Sequence, residues 1–105
     1  LTKRVPKAPS LWSELEEDGA HTLMHWAGLS GNVAFLQLGL DSGAEADARA
    51  ENRQTPLMWA VIRGHLEAAE LLIRAGADLY NKDSFGATPA ILSIQHQQHA
   101  MFMLL

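Results

Sequence analysis

Of the side chains in this sequence that could do chemistry, the five histidines come first, as metal ligands or general bases. His21 and His25 stand four residues apart, a spacing that would put two imidazoles on one helical face. Thr22 between them, however, reads as a helix cap, which leaves His21 outside the helix and the pair on different faces. His96 and His99 straddle a predicted turn, and neither pair has a carboxylate or thiol at ligand spacing, so no metal and no other cofactor is expected. Glu14, Glu16, Glu17 and Asp18 could work as acid and base only if buried in a cleft, and read instead as a solvated run of charge. The sequence has no cysteine, which removes thiolate nucleophiles and disulfides and leaves a cytosol-facing location unopposed. There is no glycine-rich phosphate loop, no serine with a positioned base and no dinucleotide fingerprint. No catalytic residue is therefore assigned, and these residues by themselves are not expected to form an enzyme.

The formal charge of -4 lacks the basic excess that a phosphate backbone demands, and Lys3, Arg4 and Lys7 gather near the N-terminus, so nucleic acid is not an expected partner. No run approaches the ~20 apolar residues of a membrane span and no secretory leader opens the sequence, so no membrane contact by this segment is expected. With 48% hydrophobic and 19% charged residues in 105, the sequence reads as one small packed domain rather than a disordered one. It opens on Leu1 and closes on the apolar run from Met101 to Leu105, which reads as an excerpt of a longer chain.

The elements that would position any site follow from an internal repeat. Thr22, Thr55 and Thr88 are spaced 33 residues apart, and the residues after them align without a gap: Thr22-Leu23-Met24-His25-Trp26-Ala27, Thr55-Pro56-Leu57-Met58-Trp59-Ala60 and Thr88-Pro89-Ala90-Ile91-Leu92-Ser93. The same offset pairs Gly31 with Gly64, Leu38 with Leu71 and Leu104, and Gly43-Ala44 with Gly76-Ala77. Threonine caps a helix through its hydroxyl, and proline suits the first helical position, where its missing N–H costs nothing. A helix therefore starts after each threonine, with Leu57, Ala60 and Val61 buried and Gly64 ending it in a left-handed conformation. Small residues at Ala27 and Ala60 let neighbouring helices approach. A second helix is predicted from about Leu66 to Ala75, with Leu66, Ala69, Leu72 and Ile73 on its buried stripe, and Gly76 stopping it. The turn-rich stretch 77–87 then suits an extended finger.

Asp83-Ser84-Phe85-Gly86-Ala87-Thr88-Pro89, the segment from Thr55-Pro56-Leu57 to Gly64-His65, and Gly76-Ala77-Asp78 together resemble the ankyrin repeat. The resemblance implies an all-α solenoid of stacked helix-turn-helix pairs with finger loops over residues 18–105, with repeats at about 18–50, 51–83 and a truncated 84–105. Residues 1–17 are left as a tail and irregular cap. Within them, 10–15 read either as a capped helical turn or as the finger of a preceding repeat. The sequence departs from the pattern where Arg53 and Ala20 replace the finger glycine found at Gly86, Leu23 the proline, and Gln97 the helix-ending glycine. In this frame His25 is expected to bridge backbone groups of adjacent repeats, and His65 to do similar work after Gly64.

The resemblance implies a module that binds a protein or peptide on its concave face and fingers. Trp26 and Trp59 share one slot, read as facing that inner side one repeat apart, and tryptophan is enriched at binding hot spots. The same slot also suits rings that only pack between helices. Leu29, Ser30, Ile62, Arg63, Gln95 and His96 fall at the exposed ends of the first helices and complete the candidate partner site, with Arg49, Arg53, Lys82 and Phe85 at its edge. The His-Trp-Ala and Met-Trp-Ala sequences, with Ile62-Arg63-Gly64-His65 and the run from Thr88 to His96, also resemble arrays attached to DHHC-type protein S-acyltransferases. That implies a segment at the cytosolic face of a membrane that presents substrates to a separate catalytic domain, with Trp59 and Trp26 touching the substrate peptide. A structural spacer is the remaining alternative, since a fold of this kind does not select among functions.

Overall fold

The computed structural model describes residues 22–105. The tail at 1–17, the alternatives for 10–15, the acidic cluster, Ala20 and His21 lie outside the described residues. Among those described are six α-helices in three antiparallel pairs: α1 (Leu23–Ser30) with α2 (Val33–Asp41), α3 (Pro56–Arg63) with α4 (Leu66–Arg74), and α5 (Pro89–Gln95) with α6 (His99–Leu104).

Each first helix begins as its sequence dictates. The hydroxyls of Thr22, Thr55 and Thr88 accept from the backbone N–H of His25, Met58 and Ile91 at 3.4, 3.3 and 3.3 Å, and Pro56 and Pro89 occupy the first helical turn. Gly31 and Gly64 end α1 and α3 with φ of 71° and 75°, and Gln97 takes φ 57° after α5, the position where the sequence lacks the glycine.

First helices stack on first helices, α1 against α3 and α3 against α5, while α2, α4 and α6 form the outer row. The core runs through this stack as Met24, Ala27, Leu36, Leu57, Ala60, Val61, Ala69, Leu72 and Met101, all 1% exposed or less. One expectation for α4 fails: Leu66 is 42% exposed, and Ala68 is sealed in the core beside Ala69. Leu66 is the first residue of α4, and because side chains lean toward the helix N-terminus it hangs over the preceding turn.

Gly28 fixes how closely the first two repeats approach. A Cβ added there would lie 2.7 Å from the carbonyl oxygen of Pro56, a backbone atom that cannot swing aside. Gly28→Ala is therefore expected to cost about 1–3 kcal/mol of unfolding free energy, measured by urea denaturation. An unchanged midpoint would mean that the two repeats can separate without penalty.

The fingers are joined to each other by backbone and side-chain bonds. Asp83 Oδ1 accepts from the backbone N–H of Phe85 and Ala87, both at 2.9 Å, and so shapes the last finger. The finger before it has Ala50 in that place, yet the same backbone pattern recurs, Ala50 N–H to Gln54 O and Asp83 N–H to Ala87 O. Between the fingers, Ser84 N–H donates to Asn52 O at 2.8 Å, Arg49 Nη2 to Asn81 Oδ1 at 2.6 Å, and Asp78 N–H to the Asp47 carboxylate at 3.1 Å. Arg53 adopts φ 60° where its repeat equivalent Gly86 has φ 80°, a left-handed backbone that costs a non-glycine residue about 1–2 kcal/mol. Arg53→Gly should therefore raise stability by roughly 0.5–1 kcal/mol once the greater freedom of the unfolded glycine is subtracted, read from the urea midpoint. A lowered midpoint would show that the arginine side chain contributes more than its backbone costs.

Candidate functional site

The site is built on a buried histidine. His25 is fully buried, and its Nδ1 lies 2.8 Å from Thr22 Oγ1 and accepts from Thr22 N–H at 3.3 Å. That leaves the proton on Nε2, which donates to the carbonyl of Gln54 at 2.7 Å, in the finger of the next repeat. The predicted bridge between repeats is thus present at His25. His65 differs from its prediction: its imidazole forms no hydrogen bond among the described residues, and the ring lies where a Cβ on Gly31 would be, 2.6 Å from Nδ1, so it fills space under the preceding turn.

Gln54 connects this core to the surface. Its backbone carbonyl accepts from His25 Nε2, and its side-chain Oε1 accepts from the indole N–H of Trp59 at 3.0 Å. The Trp59 ring stands edge-on to His25, with centroids 5.2 Å apart and planes at 69°. Trp59 is half-buried and turned toward the preceding repeat, with its ring on His25.

Beyond Gln54 opens a groove of about 510 Å³. Its walls are the fingers, through Gln54, Asp83 and Phe85 to Ala87, and the first helices, through Ile62 of α3 and Ile91, Leu92, Gln95 and His96 of α5. No residue of the outer helices lines it, so it belongs to the side formed by first helices and fingers. Phe85 is 83% and Ile91 41% exposed, whereas Ile62 is half-buried and packs against the core.

The candidate residues therefore separate into groups. Ile62, Gln95 and His96 converge on this groove. Trp26, 46% exposed, and Ser30 line a different hollow of about 420 Å³ with Leu23, Ala27, Asn32 and Phe35. Trp59 lines neither of these two hollows. Leu29 is half-buried, as is Ile62, so neither is the exposed apolar residue that the sequence led one to expect. Arg63 is exposed beside Ile62.

Gln54 and Ile91 were not among the candidates. Gln54 has Ala87 as its repeat equivalent, so the register singles out nothing there. Ile91 shares a slot with Met58 and His25, both fully buried, and reads as core; it is open because no described repeat covers it. No described helix is long and apolar enough to cross a membrane.

A family model for ankyrin repeats in three copies matches residues 14–105. Among curated proteins the chain is similar to palmitoyltransferase Hip14 of Drosophila melanogaster, 41% identical over 68 residues that make up 64% of this chain and 11% of that protein. It is similar to the probable E3 ubiquitin-protein ligase XBOS31 of Oryza sativa, 33% identical over 79 residues, 75% of this chain and 18% of that protein. Palmitoyltransferase AKR1 of Candida albicans is 32% identical over 76 residues, 67% of this chain and 9% of that protein. The chain thus spans less than a fifth of the length of each of these relatives.

Proposed function

The chain belongs to the ankyrin-repeat family, and from that premise we propose that it docks an extended segment of a partner protein on the side built by its first helices and fingers, facing the cytosol. The observation that carries this reading is the groove shared by two repeats, in which Ile62, Ile91 and Phe85 supply apolar surface and Gln54, Gln95 and His96 supply hydrogen-bonding groups. A concave surface that presents apolar side chains and hydrogen-bonding groups in near-equal measure offers contacts to a peptide's side chains and to its backbone together. The walls are held by helix packing and by bonds between fingers, so little ordering cost accompanies binding. Trp59, Arg63, Trp26, Leu29 and Ser30 continue the same side toward the N-terminus.

The test begins with linear peptides selected from a displayed random library against the full chain. Titrated into isotope-labelled protein, a selected peptide should shift the resonances of Gln54, Ile62, Phe85, Gln95 and His96. Shifts confined to α2, α4 and α6 would remove this surface from the reading.

A second reading is favoured by the similarity to Hip14 and AKR1, both palmitoyltransferases. In it the docked segment belongs to a protein that is to be S-acylated, and the chemistry resides elsewhere in the parent protein. The similarity to a ubiquitin ligase supports the broader statement, a recognition array serving more than one kind of enzyme. Sequencing the parent transcript past Leu105 separates these: an Asp-His-His-Cys segment between membrane spans supports the acyltransferase reading, and a soluble domain removes it.

A further inference from the structure

Independently of the docking reading above, we propose that the chain covers the N-terminal end of its own stack, with Leu11, Trp12 and Leu15 seated in the hollow of the first repeat. That hollow, about 420 Å³, has a mostly apolar surface built by Leu23, Trp26, Ala27 and Phe35, and no described residue outside the first repeat lines it. Its two polar lining residues are turned to their own backbone: the Ser30 hydroxyl donates to the Ala27 carbonyl at 3.3 Å, and Asn32 Oδ1 accepts from Phe35 N–H at 3.0 Å as the cap of α2. An apolar occupant therefore suits it better than a charged one.

The register tells which way the hollow faces. Leu23, Trp26 and Phe35 have Pro56, Trp59 and Ala68 as equivalents in the second repeat, and Pro89, Leu92 and Met101 in the third. In those repeats the equivalents are buried, or half-buried at Trp59, whereas Leu23 and Phe35 are half-buried and Trp26 is 46% exposed. The second and third repeats thus turn these positions toward the repeat before them, as the approach of Gly28 to Pro56 shows. The opposite pattern marks the other end of the stack: Gly28 and Val61 are buried, and their equivalent Ile94 is 60% exposed. In the first repeat the hollow therefore faces the side from which residues 1–21 enter.

Among the residues before Thr22, chemistry and reach both select 11–15. These lie outside the described residues, in a segment that joins the stack at Thr22, the cap of α1. Leu11, Trp12 and Leu15 stand at i, i+1 and i+4, so one helical turn sets them on one side and Ser13, Glu14 and Glu17 on the other. Leu1 and Val5, by contrast, stand among Lys3, Arg4 and Pro6. Leu15 is seven positions before Thr22, a tether of up to about 24 Å when extended, whereas α1 with its eight residues is about 12 Å long. Every lining position of α1 is within that reach. So short a tether holds the segment at an effective concentration on the order of millimolar, which a dilute separate partner does not match.

The sequence has no cysteine, so Ser13→Cys gives the full chain a single attachment point for a nitroxide, on the side of the segment turned away from the hollow. The nitroxide should broaden the resonances of Leu23, Trp26 and Phe35 and spare those of Ile91 and Phe102 at the far end. Nitroxide-bearing chain mixed with isotope-labelled chain that lacks the nitroxide should give no broadening, because the contact lies within one chain. Trp12→Ala should quicken hydrogen exchange in α1 and α2 about tenfold or more, and should add little in a Trp26→Ala background. Trp12→Phe keeps an aromatic ring and should recover most of that protection. Broadening centred elsewhere, broadening in the mixed sample, or unchanged exchange in Trp12→Ala would overturn this assignment, and each would leave the groove and its docking reading as they stand.

Discussion

His25→Ala is expected to lower the unfolding free energy by about 2–4 kcal/mol and to release the first helix pair before the rest of the stack. The imidazole closes the capping box of α1, ties that helix to the carbonyl of Gln54 one repeat on, and fills the space against the edge of Trp59. Alanine removes all three and leaves a cavity between repeats, at the place where a solenoid has only nearest-neighbour contacts to hold it. A domain of this size has about 5–15 kcal/mol in total, so the loss should be plain in urea unfolding, and hydrogen exchange should quicken in α1 and α2 before α5 and α6. A change of less than about 0.5 kcal/mol would mean that the bridge between repeats is energetically idle.

Phe85→Ala is expected to weaken peptides selected on the groove by about thirtyfold while leaving stability unchanged. The ring is 83% exposed, and the finger that carries it is shaped by the Asp83 carboxylate and by backbone bonds, none of which needs the side chain. Truncation of such a surface residue falls within about 0.5 kcal/mol of neutral for folding. In a bound complex the same ring would be covered on the partner's side and would complete the apolar wall made by Ile62 and Ile91. Anchors of that kind cost about 2 kcal/mol or more when removed, which is the thirtyfold quoted. Calorimetric titration and thermal unfolding of the same variant separate the two effects; full binding in the variant would exclude Phe85 from the contact.

The stack could be read in the sequence because its determinants are local and repeated. Thr55 followed by Pro56 starts a helix, Gly64 ends it, and the same signs return one register step away at Thr22 and Gly31, so three weak signals reinforce each other. Even the departures were legible: Arg53 and Gln97 take the left-handed backbone of the glycines they replace. The groove was legible only where it obeys that register, as at Ile62, Gln95 and His96. Gln54 was not, since its importance comes from a contact with Trp59 and has no counterpart at Ala87. Burial was harder still, because Leu66 and Ile91 have the types and spacing of core residues, yet Leu66 is open through its place at the start of α4 and Ile91 because no described repeat covers it. Trp26 and Trp59 make the same point, one slot giving two surroundings.

Docking between the second and third repeats is tested most directly by a structure of the full chain bound to a peptide selected against it. The peptide should run extended past the fingers, with an apolar side chain between Ile62 and Phe85 and its backbone within hydrogen-bond distance of Gln54, Gln95 or His96. A peptide seated across the outer row of α2, α4 and α6, with the groove left open, would contradict it.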